Sequence, residues 1–263
     1  MWSKIRENEK TLYVLNEEQK SKNWKKSKNG RVTASIANIA RGQSRFKTDV
    51  TLANELCLIT KPIYTSEAMT RINHGVNTEN EALLYLEKIT GFKITEQSLT
   101  VPEDEEILGF SPDGMINLSN GNNLQISNRE NLEGDGMIEI KCPGEMYRPL
   151  KSFVSMKSLG IYTPEKTYHE HIYDSHYDQI QLSLYISGRK WCIYFVYINE
   201  EEYYKEIVHH NDEYIEKLLL PGLYDFIANL LLPRLKKFRL SIETPNDFDI
   251  DSLIEKYSIY KNK

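Results

Sequence analysis

The stretch "GMIEIKC" at 136–142 constrains the fold more than any other part of the chain. It reads as a core strand, yet it carries Glu139 and Lys141 where an ordinary buried strand has no charge. Side chains alternate along a strand, so Glu139 and Lys141 share one side while Ile138 and Ile140 point into the core, which predicts an exposed charged edge of a sheet. Upstream, "GFSPDGMI" at 109–116 has the same interrupted character, with Asp113 in a turn-like break between Pro112 and Gly114. Asp113 and Glu139 supply hard oxygen donors of the kind Mg²⁺ takes, with the Ile140 backbone carbonyl as a third and water completing the octahedron. Two residues beyond such a ligand, Lys141 can orient a water or stabilise charge developing on a phosphoryl group. The competing reading is a solvent-exposed strand whose Glu and Lys confer solubility only.

The surrounding sequence predicts an α/β or α+β fold in which a central mixed β-sheet is flanked by helices. Helices are expected over most of residues 1–91, including a short one ending near Gly42 with Thr33 or Ser35 as its N-cap, another at about 50–60, and one long or two abutting helices over 65–91 closed by Gly91. From 92 the period changes to short β-branched and aromatic runs separated by turns, with a helix at 176–187 stopping at Gly188. Residues 119–135 are polar and Asn/Gly-rich and read as a projecting loop. A helical tail at 211–239 is expected to be interrupted by Pro221 and Pro233, with the last twenty residues peripheral. The whole chain, 1–263, reads as one domain in three parts divided near 91 and 210.

Helical spacing singles out two more side chains. Glu79 shares a stripe with Ala82, Leu83 and Leu86, so its carboxylate calls for a metal or a basic partner, whereas Glu81 points away and is placed to cap a helix with Thr78. Gln179 shares a face with Leu182 and Ile186, while Gln181 is offset from it. The five histidines from His169 to His210 show no carboxylate pattern that would support a transition-metal site.

Bulk properties narrow the classes further. The formal charge of −5 excludes a uniformly basic nucleic-acid coat, so any contact with DNA must be local. The densest basic stretch, at 17–31, places Lys20, Lys22, Lys25, Lys26, Lys28 and Arg31 around Trp24. Three separated cysteines, the absence of a secretory leader and the absence of an 18-residue apolar run predict a reduced, intracellular, soluble protein of the cytoplasm or nucleus, without a membrane partner.

"SPDG" followed by "EIKCP" closely resembles the core of the PD-(D/E)xK nucleases, and within them the lambda-exonuclease and YqaJ-type viral recombinase family. "W-x-x-x-K-x-G-x-V-T-A-S" at 24–35, "HGVNTENEA" at 74–82 and "YDQIQLSLYISG" at 177–188 extend the resemblance in the family's order. It implies a restriction-endonuclease-like core and a Mg²⁺-dependent nuclease, with Mn²⁺ able to substitute. The expected activity is 5′→3′ digestion of duplex DNA from its ends, leaving 3′ single strands for annealing recombination.

By the same resemblance Asp113 and Glu139 hold the metal, Glu79 and Lys141 manage the attacking water, and Gln179 supports them. Lys28, Arg31, Thr33 and Ser35 form a pocket for the terminal phosphate; here Lys28 stands where the family pattern has arginine. The spacing from Asp113 to Glu139 is also longer than the pattern, by the 119–135 loop. A ring-like homotrimer and a single-strand annealing protein are the implied partners. Two rivals stand beside this reading: an endonuclease of the same superfamily acting internally or on branched DNA, and a non-catalytic DNA-binding module.

Overall fold

A computed structural model describes residues 1–118, 132–144, 172–246 and 249–261. The chain opens with a hairpin rather than a helix: β1 (Trp2–Glu7) pairs antiparallel with β2 (Lys10–Leu15), and β2 pairs in turn with β4 (Thr100–Pro102). Asn8 and Glu9, with φ of 45° and 65°, make the left-handed two-residue turn that suits the twist of a hairpin. The expectation of a mostly helical first third is therefore corrected at its start, since Leu12 and Leu15 are buried strand residues.

Three short helices and a long one follow: α1 (Lys22–Ser27), α2 (Ala37–Ala40), α3 (Asp49–Leu56) and the long α4 (Ser66–Thr90). The segment 65–91 forms one continuous helix, started by the Thr65 side chain accepting from the Ala68 N–H and ended by Gly91 at φ 71°. Thr78 lies inside this helix, so the capping role expected of Glu81 is not realised; its carboxylate accepts the Tyr197 hydroxyl instead, at 2.7 Å. Before α2, β3 (Val32–Thr33) runs parallel to β5 (Leu108–Gly109). Thr33 is extended and makes no capping bond.

The central sheet has the order β6-β7-β8-β9, formed by Gly114–Ile116, Gly136–Lys141, Trp191–Tyr197 and Tyr203–His209. Its outer pairs are antiparallel, and β7 and β8 are parallel, as their connection through α5 (Asp174–Ser187) requires. Glu139 lies opposite Tyr194, and Lys141 opposite Val196. Gly136 is demanded by packing, because a Cβ there would collide with the Trp191 indole.

Both faces of this sheet are covered. Ile138 and Ile140 join Ala82 and Leu86 of α4 in one core, while Met137, Cys192 and Tyr194 join Leu182 and Ile186 of α5 in the other. The charged side of β7 is thus not an open edge. Leu132 is also buried, and Leu118 N–H donates to Asp135, so the end of the segment predicted as a projecting loop is anchored; residues 119–131 of it lie outside the described residues.

The C-terminal helix α6 (Asp212–Lys237) continues through both prolines. Each proline follows a π turn, Ile215–Leu219 or Ile227–Leu231, whose wider backbone accommodates a missing N–H and a bulky ring. Among the described residues α6 is long and apolar enough to cross a membrane, but half of its apolar window is buried and Leu219, Leu223 and Leu231 sit in the main core. The last element, α7 (Ile250–Lys256), is less peripheral than predicted: the buried Tyr257 that follows it donates to Glu105 at 2.6 Å.

Candidate active site

Strand β7 delivers Glu139 and Lys141 to the place where the β6 end, α4 and α5 converge. Glu139 is only 2% exposed. Its carboxylate accepts from the Lys141 ammonium, which also donates to the Gln179 side-chain oxygen at 3.2 Å. Gln179 in turn hydrogen-bonds Glu139, so one amide from α5 bridges both charged groups of β7. Gln181 instead holds the His209 carbonyl and the Asn211 N–H, a structural task that agrees with its offset face.

Asp113 enters from the Pro112–Gly114 turn, and its Oδ2 accepts the Ile140 N–H at 2.6 Å. Burial, then the neighbouring Glu139 charge, pushes the Asp113 carboxyl well above the usual carboxylate range. Burial raises the Glu139 carboxyl too, with Lys141 opposing it. Burial alone would lower the Lys141 ammonium, but Glu139 and Asp113 outweigh it and hold the lysine charged. Glu79 on α4 faces the same group, since its charge acts on both carboxylates. The basic partner expected for Glu79 is Lys20, whose ammonium donates to both carboxylate oxygens at 3.0 and 3.1 Å.

Crowded carboxylates are the chemistry a hard divalent cation neutralises. Among the described residues no three His, Cys, Asp or Glu side chains close into a metal cage. Asp113 and Glu139 give an open, oxygen-only donor set, with the Ile140 carbonyl lying between Glu139 and Lys141 in the chain; such a set fits Mg²⁺, which retains several waters.

The basic segment divides into two. Lys28 is half-buried with its ammonium 4.0 Å from the Trp24 ring centroid, and burial lowers it to about 8. Trp24 donates its indole N–H to Ser111 at 3.1 Å, which ties this segment to the turn that carries Asp113. Ser35 is exposed, and its hydroxyl lies 3.4 Å from that of the buried Thr33.

Arg31 is a correction. It is fully buried, and its guanidinium serves the backbone carbonyls of Ser27, Glu106 and Glu243, so it is not presented to a DNA end. The α2 helix is likewise too short to offer an anion site at its N-terminus. Of the histidines, His169 and His171 lie outside the described residues, while His176 pairs with Tyr194 and His210 with Asp212.

The sequence assigns no site role to Trp24, Ser111 or Gln19. The Gln19 amide donates to the Gln97 and Pro112 carbonyls at 2.8 and 2.7 Å, pinning the N-terminal segment to the Asp113 turn. Membership of "SPDG" could have flagged Ser111, but nothing local marks Gln19.

An aspartate at one strand approach and a Glu-x-Lys on the adjoining strand, backed by a helix glutamate and a helix glutamine, define the PD-(D/E)xK nuclease class. The chain belongs to the YqaJ-like viral recombinase domain family, whose model matches residues 23–190. Its fold is similar to that of an alkaline exonuclease from Laribacter hongkongensis, LHK-Exo, with a TM-score of 0.57 and 20% identity over 83% of this chain and 97% of that one. The structure of LHK-Exo in complex with dAMP gives a TM-score of 0.58 and 21% identity with the same coverage. No curated protein sequence is similar enough to the chain to match it.

Proposed function

We propose that the chain is a Mg²⁺-dependent exodeoxyribonuclease that enters duplex DNA at an end and digests one strand 5′→3′. The observation that carries this reading is Lys141, held between Glu139 and Gln179 directly beside Asp113. DNA binding alone gives no reason to fix a lysine among carboxylates.

A bound Mg²⁺ supplies positive charge that polarises a phosphoryl oxygen and favours deprotonation of water. Asp113, Glu139 and the Ile140 carbonyl hold it. Glu79 accepts a hydrogen bond from the attacking water and directs its oxygen toward phosphorus. Lys141, oriented by Gln179, meets the negative charge that grows as the new P–O bond forms and the old one breaks. Lys28 and Ser35, supported by Trp24 and Thr33, engage the 5′-phosphate at the end, so that cleavage proceeds one nucleotide at a time. The dAMP bound by LHK-Exo is a nucleoside monophosphate of the kind such digestion releases.

The remaining 3′ strand is then a substrate for a single-strand annealing protein, and the chain acts as a homotrimer around the duplex. Purified protein should degrade linear duplex DNA with Mg²⁺ or Mn²⁺, stop in EDTA, and lose activity in Glu139→Gln. Hydrolysis that persists in EDTA or in that variant rejects the reading.

A further inference from the structure

We infer that Lys20 is a positioning residue for this centre, holding the Glu79 carboxylate at the working orientation across the cleft from Asp113. The inference rests on the nuclease reading above. Lys20 and Glu79 face each other on the wall of a cleft of ≈ 610 Å³ that also reaches Asp113. The ammonium spans both carboxylate oxygens, which fixes the rotation of the Glu79 side chain as well as its place. Most ion pairs this exposed are incidental. Two observations set this one apart.

The first is the backbone. Lys20 has φ 69°, a left-handed conformation uncommon for a residue with a side chain. Glycine suits that position far better, so the lysine stands there against local preference.

The second is the anchoring on either side. Gln19 is fastened to the Pro112 carbonyl, one residue before Asp113, and Ser21 caps α1 by accepting from the Trp24 N–H. Lys20 therefore extends from a short segment fixed to the Asp113 turn on one side and to α1, which leads to Lys28, on the other. From there it reaches to α4. Its ion pair joins the helix carboxylate to the segment that Gln19 fastens to the Asp113 turn.

Its action runs through Glu79. Among the described residues Lys20 is the hydrogen-bond donor to Glu79, so without it the carboxylate is free to rotate at the cleft wall and the water it directs is aimed less well. The cost falls on the chemical step rather than on DNA capture.

The test is Lys20→Gly, which removes the ammonium and relieves the backbone at once, compared with wild type and Lys20→Arg. Three quantities are read: the single-turnover cleavage rate at saturating linear duplex, the affinity for the same duplex without divalent metal, and the melting temperature. The expected result is a rate loss of roughly tenfold in Lys20→Gly, duplex affinity within about threefold and no drop in melting temperature. Lys20→Arg, which keeps the pair, recovers most of the rate.

An unchanged rate in Lys20→Gly overturns the inference and leaves an ordinary surface ion pair. A loss seen only in duplex affinity overturns it in favour of a phosphate contact, and a fall in melting temperature that Lys20→Arg restores with the rate reduces Lys20 to a structural role. A wild-type protein inert on linear duplex under the same conditions counts against the nuclease reading instead.

Discussion

The Oδ2 of Asp113 accepts the backbone N–H of Ile140 at 2.6 Å, which fastens the carboxylate of one strand approach to the residue between Glu139 and Lys141. The two halves of the centre, far apart in sequence, are thereby registered by a single charge-assisted bond as well as by the sheet.

This bond separates shape from charge at Asp113. In Asp113→Asn the amide oxygen still accepts from Ile140, while the negative charge beside Glu139 is gone. Cleavage should fall by about a thousandfold, a magnitude usual for losing a group that acts in the transition state. The metal-free protein should be no less stable, because repulsion in a buried site is relieved. Asp113→Ala, which leaves the Ile140 N–H unpaired, should instead cost about 1–3 kcal/mol in denaturant melts.

Lys141 carries a stability cost that its position in the sequence conceals. Alternation along β7 alone suggests a surface charge whose removal is harmless. Glu139 is nearly inaccessible, so Lys141→Ala strands a buried carboxylate. Activity should be lost, and urea titration should show a destabilisation of about 3 kcal/mol, the range for breaking one side of a buried pair.

Arg31 and Lys28 should separate cleanly. Arg31→Ala removes the donor from three carbonyls and should lower stability by several kcal/mol, at about 1–3 kcal/mol for each buried group left unpaired. Lys28→Ala should leave the melting temperature nearly unchanged and slow digestion of 5′-phosphorylated ends relative to 5′-hydroxyl ends. Melting curves and paired end-substrates check both.

The pH dependence of that preference follows from the Lys28 ammonium, which burial lowers to about 8. The charged form, the one that attracts a phosphate, prevails below that value and is lost above it. The ratio of rates on phosphorylated and hydroxyl ends should therefore decline as pH rises through about 8. Lys28→Arg, charged at every accessible pH, should keep a flat ratio.

Much of this centre was legible because its chemistry is written locally. "SPDG" and "EIKC" each hold their charges within a few residues, and Gln179 and Gly188 follow helical spacing. What was hidden depends on long-range packing. The Glu139 face looked open because nothing in β7 reveals that α5 covers it. Arg31 looked like a DNA contact because its carbonyl partners lie 4, 75 and 212 residues away. The opening hairpin was missed although "KTLYVL" is rich in strand formers, since its turn, Asn8–Glu9, has no glycine to mark it. Pro221 and Pro233 break an α-helical hydrogen-bond pattern but not one relaxed by π turns.

The central claim is that Asp113, Glu139, Lys141 and Glu79 hydrolyse DNA from an end in one direction. It is tested most directly by giving purified protein and Mg²⁺ two substrates in one tube: a linear duplex labelled at its 5′ terminus and a covalently closed circular duplex. The account predicts early release of the 5′ label as mononucleotide, an intact circle, and neither reaction in Glu139→Gln. Nicking of the circle, or retention of the 5′ label while the duplex is degraded from its 3′ ends, would contradict it.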